Sequence, residues 1–225
     1  MRLLFWGLAI LLLLAGCAPV DKAPAMPSPP IAFETALTTP FVPSPLPPAL
    51  QITASTAPCL PAPVNVPTLP AVIPRTNELD ETTGFHMTGE VQYIDLPSYR
   101  LVVSGLVDHP LSLKYDELRC MPRVTAVTRI ECSTFIDSAS FTGVPLAAIL
   151  NLADIQIGAE RIELVGADGY TARVPLEEAL KAENYLAYEW QGKPLPILHG
   201  FPIRALFPSQ AGAFSVKWLV EIRVQ

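Results

Sequence analysis

At 225 residues, half of them apolar and 16% charged, the chain is long enough for one domain with its own core or two small ones. Its formal net charge of −6 argues against nucleic acid as a partner, because such proteins carry a basic face. The four cysteines, Cys17, Cys59, Cys120 and Cys132, contain no CxxC pair, and three scattered histidines do not give zinc-site spacing, so each cysteine is read separately.

Residues 1–16 carry one cation, Arg2, then an apolar run from Leu3 to Leu14 and the small residues Ala15 and Gly16. That is the layout of a secretory signal peptide, too short to span a bilayer as a permanent helix. The tetrad Leu14-Ala15-Gly16-Cys17 resembles the bacterial lipobox. That resemblance implies cleavage before Cys17, lipid on that residue and a membrane-anchored protein facing the extracytoplasmic side. From Cys17 to residue 83 the expectation is a tether: sixteen of the 25 prolines fall between Ala18 and Asn77, and proline removes backbone donors and fixes φ. Cys59 reads as incidental within it.

The pattern turns globular from residue 84 to 225. Tyr99–Val107 predicts a strand ended by the turn residues Asp108-His109-Pro110, and Ser112–Arg119 a short helix. Arg123–Cys132 alternates, with Val124, Ala126, Thr128, Ile130 and Cys132 on one face. Ser133–Phe141 reads as a loop. Thr142–Leu152 predicts a helix with Gly143 and Pro145 at its start. Ile162–Ala167 is a strand closed by Asp168-Gly169, and Pro175 opens a helix with Glu177 and Glu178 in its first turn. Asn184–Trp190, Ile203–Phe207 and Val216–Val224 are strands, the first ended by a Gln191-Gly192 turn. Strands and short helices without a βαβ repeat give an α+β fold. Trp190 and Trp218 read as core anchors and Cys120 as a core residue, with a disulfide to Cys132 as the lesser alternative.

Five segments follow in order: IECSTF, FTGVPLAAIL, ADGYTARVPLEEAL, LAYEWQGKPLPILHGFPIRALFP and SVKWLVEIRV. The series, from Leu96 to Val224, resembles the molybdopterin-binding domain of the sulfite oxidase family. The resemblance implies a sulfite-oxidase-type fold with mixed sheets, a molybdenum–molybdopterin cofactor and oxygen-atom transfer with electrons passed on to a haem or quinone partner. It places Cys132 at the metal-ligand position, where a thiolate is a soft, electron-rich donor. It sets His199, Arg204 and Lys217, with Arg173 beside them, where the family holds the pterin and its phosphate, and Tyr170 at the active-site tyrosine. Substrates so implied are small oxyanions or S-oxides and N-oxides.

Three features depart from the family pattern. Ser133–Phe141 carries Asp137 and no arginine, which disfavours sulfite. Phe85, His86 and Met87 stand where many relatives carry arginine and asparagine over the pterin, and the run before Lys217 lacks an arginine. The leader has Arg2 but no twin arginine, although the family's cofactors are inserted before export. Two functions are therefore set side by side: an envelope molybdopterin oxidoreductase, and a cofactor-free member of the fold serving as a binding or scaffold lipoprotein.

Overall fold

The computed structural model describes residues 59–225; the expected leader, Cys17 and the tether up to residue 58 lie outside them. In chain order the elements are β1 (Leu79–Asp80), β2 (Phe85–His86), β3 (Leu101–Gly105), β4 (Leu111–Leu113), α1 (Tyr115–Arg119), β5 (Val124–Glu131), β6 (Ile136–Pro145), α2 (Leu146–Ala153), β7 (Arg161–Gly166), β8 (Thr171–Pro175), α3 (Leu176–Ala179), β9 (Tyr185–Trp190), β10 (Lys193–Pro194), β11 (Arg204–Leu206) and β12 (Leu219–Val224). One sheet runs β4-β3-β12-β7-β8, antiparallel except where β12 lies parallel to β3. The other runs β10-β9-β6-β5 with β11 also paired to β9. The α+β expectation and most strand positions hold.

The principal core draws Leu101, Val103, Ile162, Leu164 and Ile222 from the first sheet, Val144, Leu186 and Ala205 from the second, and Leu118, Ile149 and Leu150 from α1 and α2. Each helix is short and amphipathic, so it is stable only against the sheets. Glu117 in the first turn of α1 reaches back to the Lys114 N–H at 2.7 Å, which satisfies one of the donors a helix start leaves open. A smaller core of Phe85, Ile130, Phe141, Tyr185, Leu195 and Phe201 underlies the second sheet, next to the functional cavity.

Two predicted elements are corrected. The stretch read as a loop, Ser133–Phe141, is largely β6, and the helix predicted from Thr142 starts only at Leu146. β6 is the central strand, paired with β5 on one side and β9 on the other, so its serines and glycine are covered by ladder bonds. Gly143 is required there: a Cβ would lie 2.1 Å from the Leu186 carbonyl oxygen.

The tether boundary at residue 83 is also corrected. From Cys59 onward the chain lies on the domain as an arm. Cys59 is disulfide-bonded to Cys120, 61 residues away in sequence, and Arg119 donates to the Ala62 carbonyl at 2.9 Å. Val64 and Leu69 pack against the cores. Proline forbids ladders but not side-chain burial, which is how this segment is held. Cys59 is therefore not incidental, Cys120 is exposed rather than in the core, and neither bonds Cys132, the free cysteine among the described residues.

Candidate functional site

A cavity of about 440 Å³ opens where five segments meet. Cys132 enters it directly after β5, its main-chain N–H donating to the Phe135 carbonyl at 3.0 Å. His86 and Gly89 follow from the end of β2, Asp168 and Tyr170 from the turn between β7 and β8, Ala211–Ala213 from a loop, and Arg204, Lys217 and Trp218 from β11 and the approach to β12. Gly212 presses on the sulfur: a Cβ there would sit 2.7 Å from Cys132 Sγ. Gly89 likewise admits the Asp168 carboxylate and the Trp218 ring, which a Cβ would meet at 2.9 and 3.0 Å.

Arg204 and Lys217 are both buried, and neither forms a salt bridge among the described residues. Arg204 Nε has no hydrogen-bond partner among the described residues. Lys217 Nζ donates to the carbonyls of Thr88 at 2.7 Å and Leu198 at 3.0 Å. Burial pushes Arg204 down to about 10, against the pull of Asp137 and Cys132. Burial and then Arg204 push Lys217 well below the ordinary lysine range. Burial raises the Cys132 thiol, while Arg204 and Lys217 favour its thiolate. Two buried cationic groups without a carboxylate partner cost folding energy unless an anion joins them. A thiol in the same cavity adds a soft ligand. This donor set fits a metal carried by an anionic, phosphate-bearing cofactor.

The oxidoreductase molybdopterin binding domain model matches residues 88–225, more than half of the chain. The chain belongs to that molybdopterin-binding oxidoreductase family. It is 35% identical over 144 residues to the uncharacterized oxidoreductase YuiH of Bacillus subtilis, covering 61% of this chain and 72% of that one. It is 31% identical over 137 residues to a putative protein-methionine-sulfoxide reductase subunit, YedZ1, of Azospira oryzae, covering 60% and 52%. It is 32% identical over 166 residues to human mitochondrial sulfite oxidase, covering 60% of this chain but 30% of that one. In structure it resembles the sulfane dehydrogenase SoxCD of Paracoccus pantotrophus, with a TM-score of 0.57 at 24% identity over 60% of this chain and 40% of that one, which shows the shared fold.

Of the residues the family resemblance singled out, the structure gathers Cys132, Arg204, Lys217 and Tyr170 on the cavity wall. Tyr170 is half-exposed and its hydroxyl donates to the Ala213 carbonyl at 2.9 Å, so the phenol also steadies the loop that carries Gly212. Arg173 is not brought to this wall: its guanidinium is paired with buried Glu163 at 2.9 Å, because β8 turns alternate residues to opposite faces. Nor is His199. It lies off the wall, with Nε2 3.0 Å from Asp80 Oδ2 and 2.9 Å from Thr83 Oγ1. Burial, then Lys217, push its pKa down to about 3, so the ring is neutral. It ties the arm to the domain. Trp218 is both core and cavity floor, its Nε1 donating to the Ile197 carbonyl at 2.8 Å.

Sequence reasoning did not assign site roles to His86, Asp137, Asp168 or Gly212. The turn residues Asp168-Gly169 signal a hairpin, not a carboxylate aimed at a cavity. Asp137 stood out only as a missing arginine, and its partner His86 lies 51 residues away in sequence.

Proposed function

We propose that the chain is a molybdopterin-dependent oxidoreductase of the cell envelope that moves an oxygen atom to or from a small neutral substrate, with an S-oxide or N-oxide as the oxidised form. The observation that carries the proposal is the free Cys132 thiol in one cavity with Arg204 and Lys217, whose buried charges have no carboxylate partner among the described residues. Cys132 serves as the protein's metal ligand, and Arg204 and Lys217 hold the anionic pterin and its phosphate. When bound, the molybdenum cofactor supplies two-electron oxygen-atom chemistry, and electrons leave or arrive singly through a haem or quinone partner. The protein's part is to fix the thiolate, exclude bulk water with the Trp218 floor, and present Tyr170 to the substrate.

Substrate charge follows from the rest of the wall. Once the two cations are committed to the cofactor, the charged groups left include the carboxylates of Asp137 and Asp168, among the apolar faces of Ile130 and Phe135. A dianion such as sulfite meets repulsion there, while a neutral S-oxide does not. The name of the Azospira relative, a putative protein-methionine-sulfoxide reductase subunit, points the same way. Envelope location is supported by the lipobox-like Leu14–Cys17 and by the Cys59–Cys120 disulfide, a bond that persists in oxidising compartments. Lipid on Cys17 is the proposed anchor.

Metal analysis of protein purified from its native envelope tests the reading. About one molybdenum per chain is expected, as the single thiolate ligand implies, and it disappears in Cys132→Ser. Metal-free native protein overturns the proposal.

A further inference from the structure

His86 and Asp137 form a second polar unit in the cavity, and the imidazole has no part in the roles above. Asp137, buried on β6, accepts the His86 main-chain N–H on Oδ2 at 2.9 Å and lies 2.8 Å from Nδ1 through Oδ1. The imidazole stacks on Phe135 with ring centroids 4.2 Å apart and planes 11° apart. Phe135 is itself fixed to Cys132 through its carbonyl. Asp137 thus sets the tautomer, with the proton on Nδ1 of the neutral ring, and Phe135 sets the plane. Nε2 makes no hydrogen bond among the described residues and is not a buried orphan. The ring is 26% exposed and stands on the same wall as Cys132. A tie between β2 and β6 would need only the main-chain bond. A ring held at two points, on a residue that lines the cavity of the metal ligand and with its remaining nitrogen unpaired among the described residues, is the arrangement of an acid–base group.

We propose that His86 is a catalytic proton donor for reduction of a neutral S-oxide in this cavity, and that Asp137 is its positioning residue. The inference rests on the molybdopterin reading above. The overall step is R2S=O + 2 H+ + 2 electrons → R2S + H2O. The sulfur–oxygen bond breaks, both electrons end on sulfur, and the oxygen leaves as water. The electrons come singly from a haem- or quinol-class donor by way of the cofactor. His86 Nε2–H gives one proton to the departing oxygen; the second proton, and the one that recharges the ring, come from solvent through the cavity mouth. The charged and titratable groups that line the cavity with the imidazole are Asp137 from β6, Glu131 at the end of β5 and Cys132 just after it, Asp168 and Tyr170 from the turn after β7, and Arg204 and Lys217. The carboxylates stabilise its charge and the two cations oppose it.

The test uses holoprotein from the envelope, with molybdenum assayed in every sample and methyl phenyl sulfoxide as the substrate. His86→Gln keeps an amide donor but cannot titrate. At unchanged metal content its kcat falls on the order of 10²-fold, KM moves by less than about threefold, and the loss of rate toward high pH that marks an essential acid disappears. Asp137→Asn loses about tenfold in kcat, and its neutral His86 ring moves toward the Nε2-protonated tautomer in nitrogen-15 spectra. A second readout needs neither variant nor turnover: nitrogen-15 spectra of the wild-type chain show His86 protonated on Nδ1 in its neutral form. Full metal content with wild-type rate and pH profile in His86→Gln overturns the assignment alone, as does an Nε2-protonated neutral ring. Metal-free wild-type protein overturns the cofactor reading and this inference with it.

Discussion

Gly212 shows how one missing atom can define a site. Its backbone is not in the left-handed region, so nothing in φ forbids alanine there. What forbids it is Cys132 Sγ at 2.7 Å, with the Glu131 carbonyl at 3.0 Å and Ile130 Cγ2 at 3.1 Å behind it. The thiol is the movable member of that set, so a methyl group displaces the sulfur rather than the fold. Ligand geometry tolerates only about 0.5 Å of such error. Gly212→Ala is therefore expected to keep its melting temperature within a few degrees while retaining at least about tenfold less molybdenum, measured as metal per chain after gel filtration. Equal metal content in the variant would mean that the sulfur has slack the packing does not show. Arg204 and Lys217 were legible at this scale only through the family resemblance carried by HGFPIR and SVKWL, because a cation near a strand end by itself reads equally well as a snorkelling side chain. Arg173 and His199 were not separable from them, because sequence does not tell which face of a strand or 3-10 turn meets the cavity.

The stretch from Cys59 to Thr83 is where composition misled. Prolines marked it correctly as poor in helix and sheet, and β1 within it is only two residues long. Yet Val64 and Leu69 are half-buried against the cores, and Asp80 and Thr83 reach buried His199. By contrast, the alternation of Val124–Ile130 gave β5 its face directly, whereas β6 hid because its Ser-Ala-Ser and Thr-Gly stretches become strand only between two partners. The disulfide was invisible for the same reason: 61 residues separate its halves, and only the fold brings them together. Closing a loop of that length is worth roughly 2–4 kcal/mol, most of it from restricting the unfolded chain. Replacing both Cys59 and Cys120 with serine should lower stability by about that amount in urea titrations. Amide exchange at residues 79–89 should quicken more than exchange in β7 or β12, since the arm loses its clasp and the sheets do not. Uniform acceleration across the domain would show that the clasp stabilises the whole fold rather than holding the arm.

Across the whole molecule, the arm's second anchor makes stability depend on pH. His199 and Asp80 are both buried, 119 residues apart in sequence, and join the end of β1 to the segment before β11. The folded pKa of His199 is pushed down to about 3 by burial, then by Lys217, against an ordinary histidine value of 6.5. A base depressed in this way takes its proton more readily when unfolded, so folding weakens as pH falls below about 6.5 and this contribution levels off only near 3. For one proton the limiting slope is about 1.4 kcal/mol per pH unit. Asp80 acts in the same direction lower down: burial raises its pKa, but hydrogen bonds from Thr83 and His199 outweigh that and hold it below the usual carboxylate range. Its contribution is lost as pH drops through its folded value. Urea midpoints measured at pH 7, 5.5 and 4.5 should therefore fall steadily in the wild-type chain. His199→Gln keeps an amide donor for Asp80 but removes the proton that the unfolded chain would bind. It should cost roughly 1–2 kcal/mol at pH 7 and flatten the decline between pH 6.5 and 4.5. A decline as steep in that variant as in wild type would place the acid sensitivity on other groups and leave His199 as packing alone.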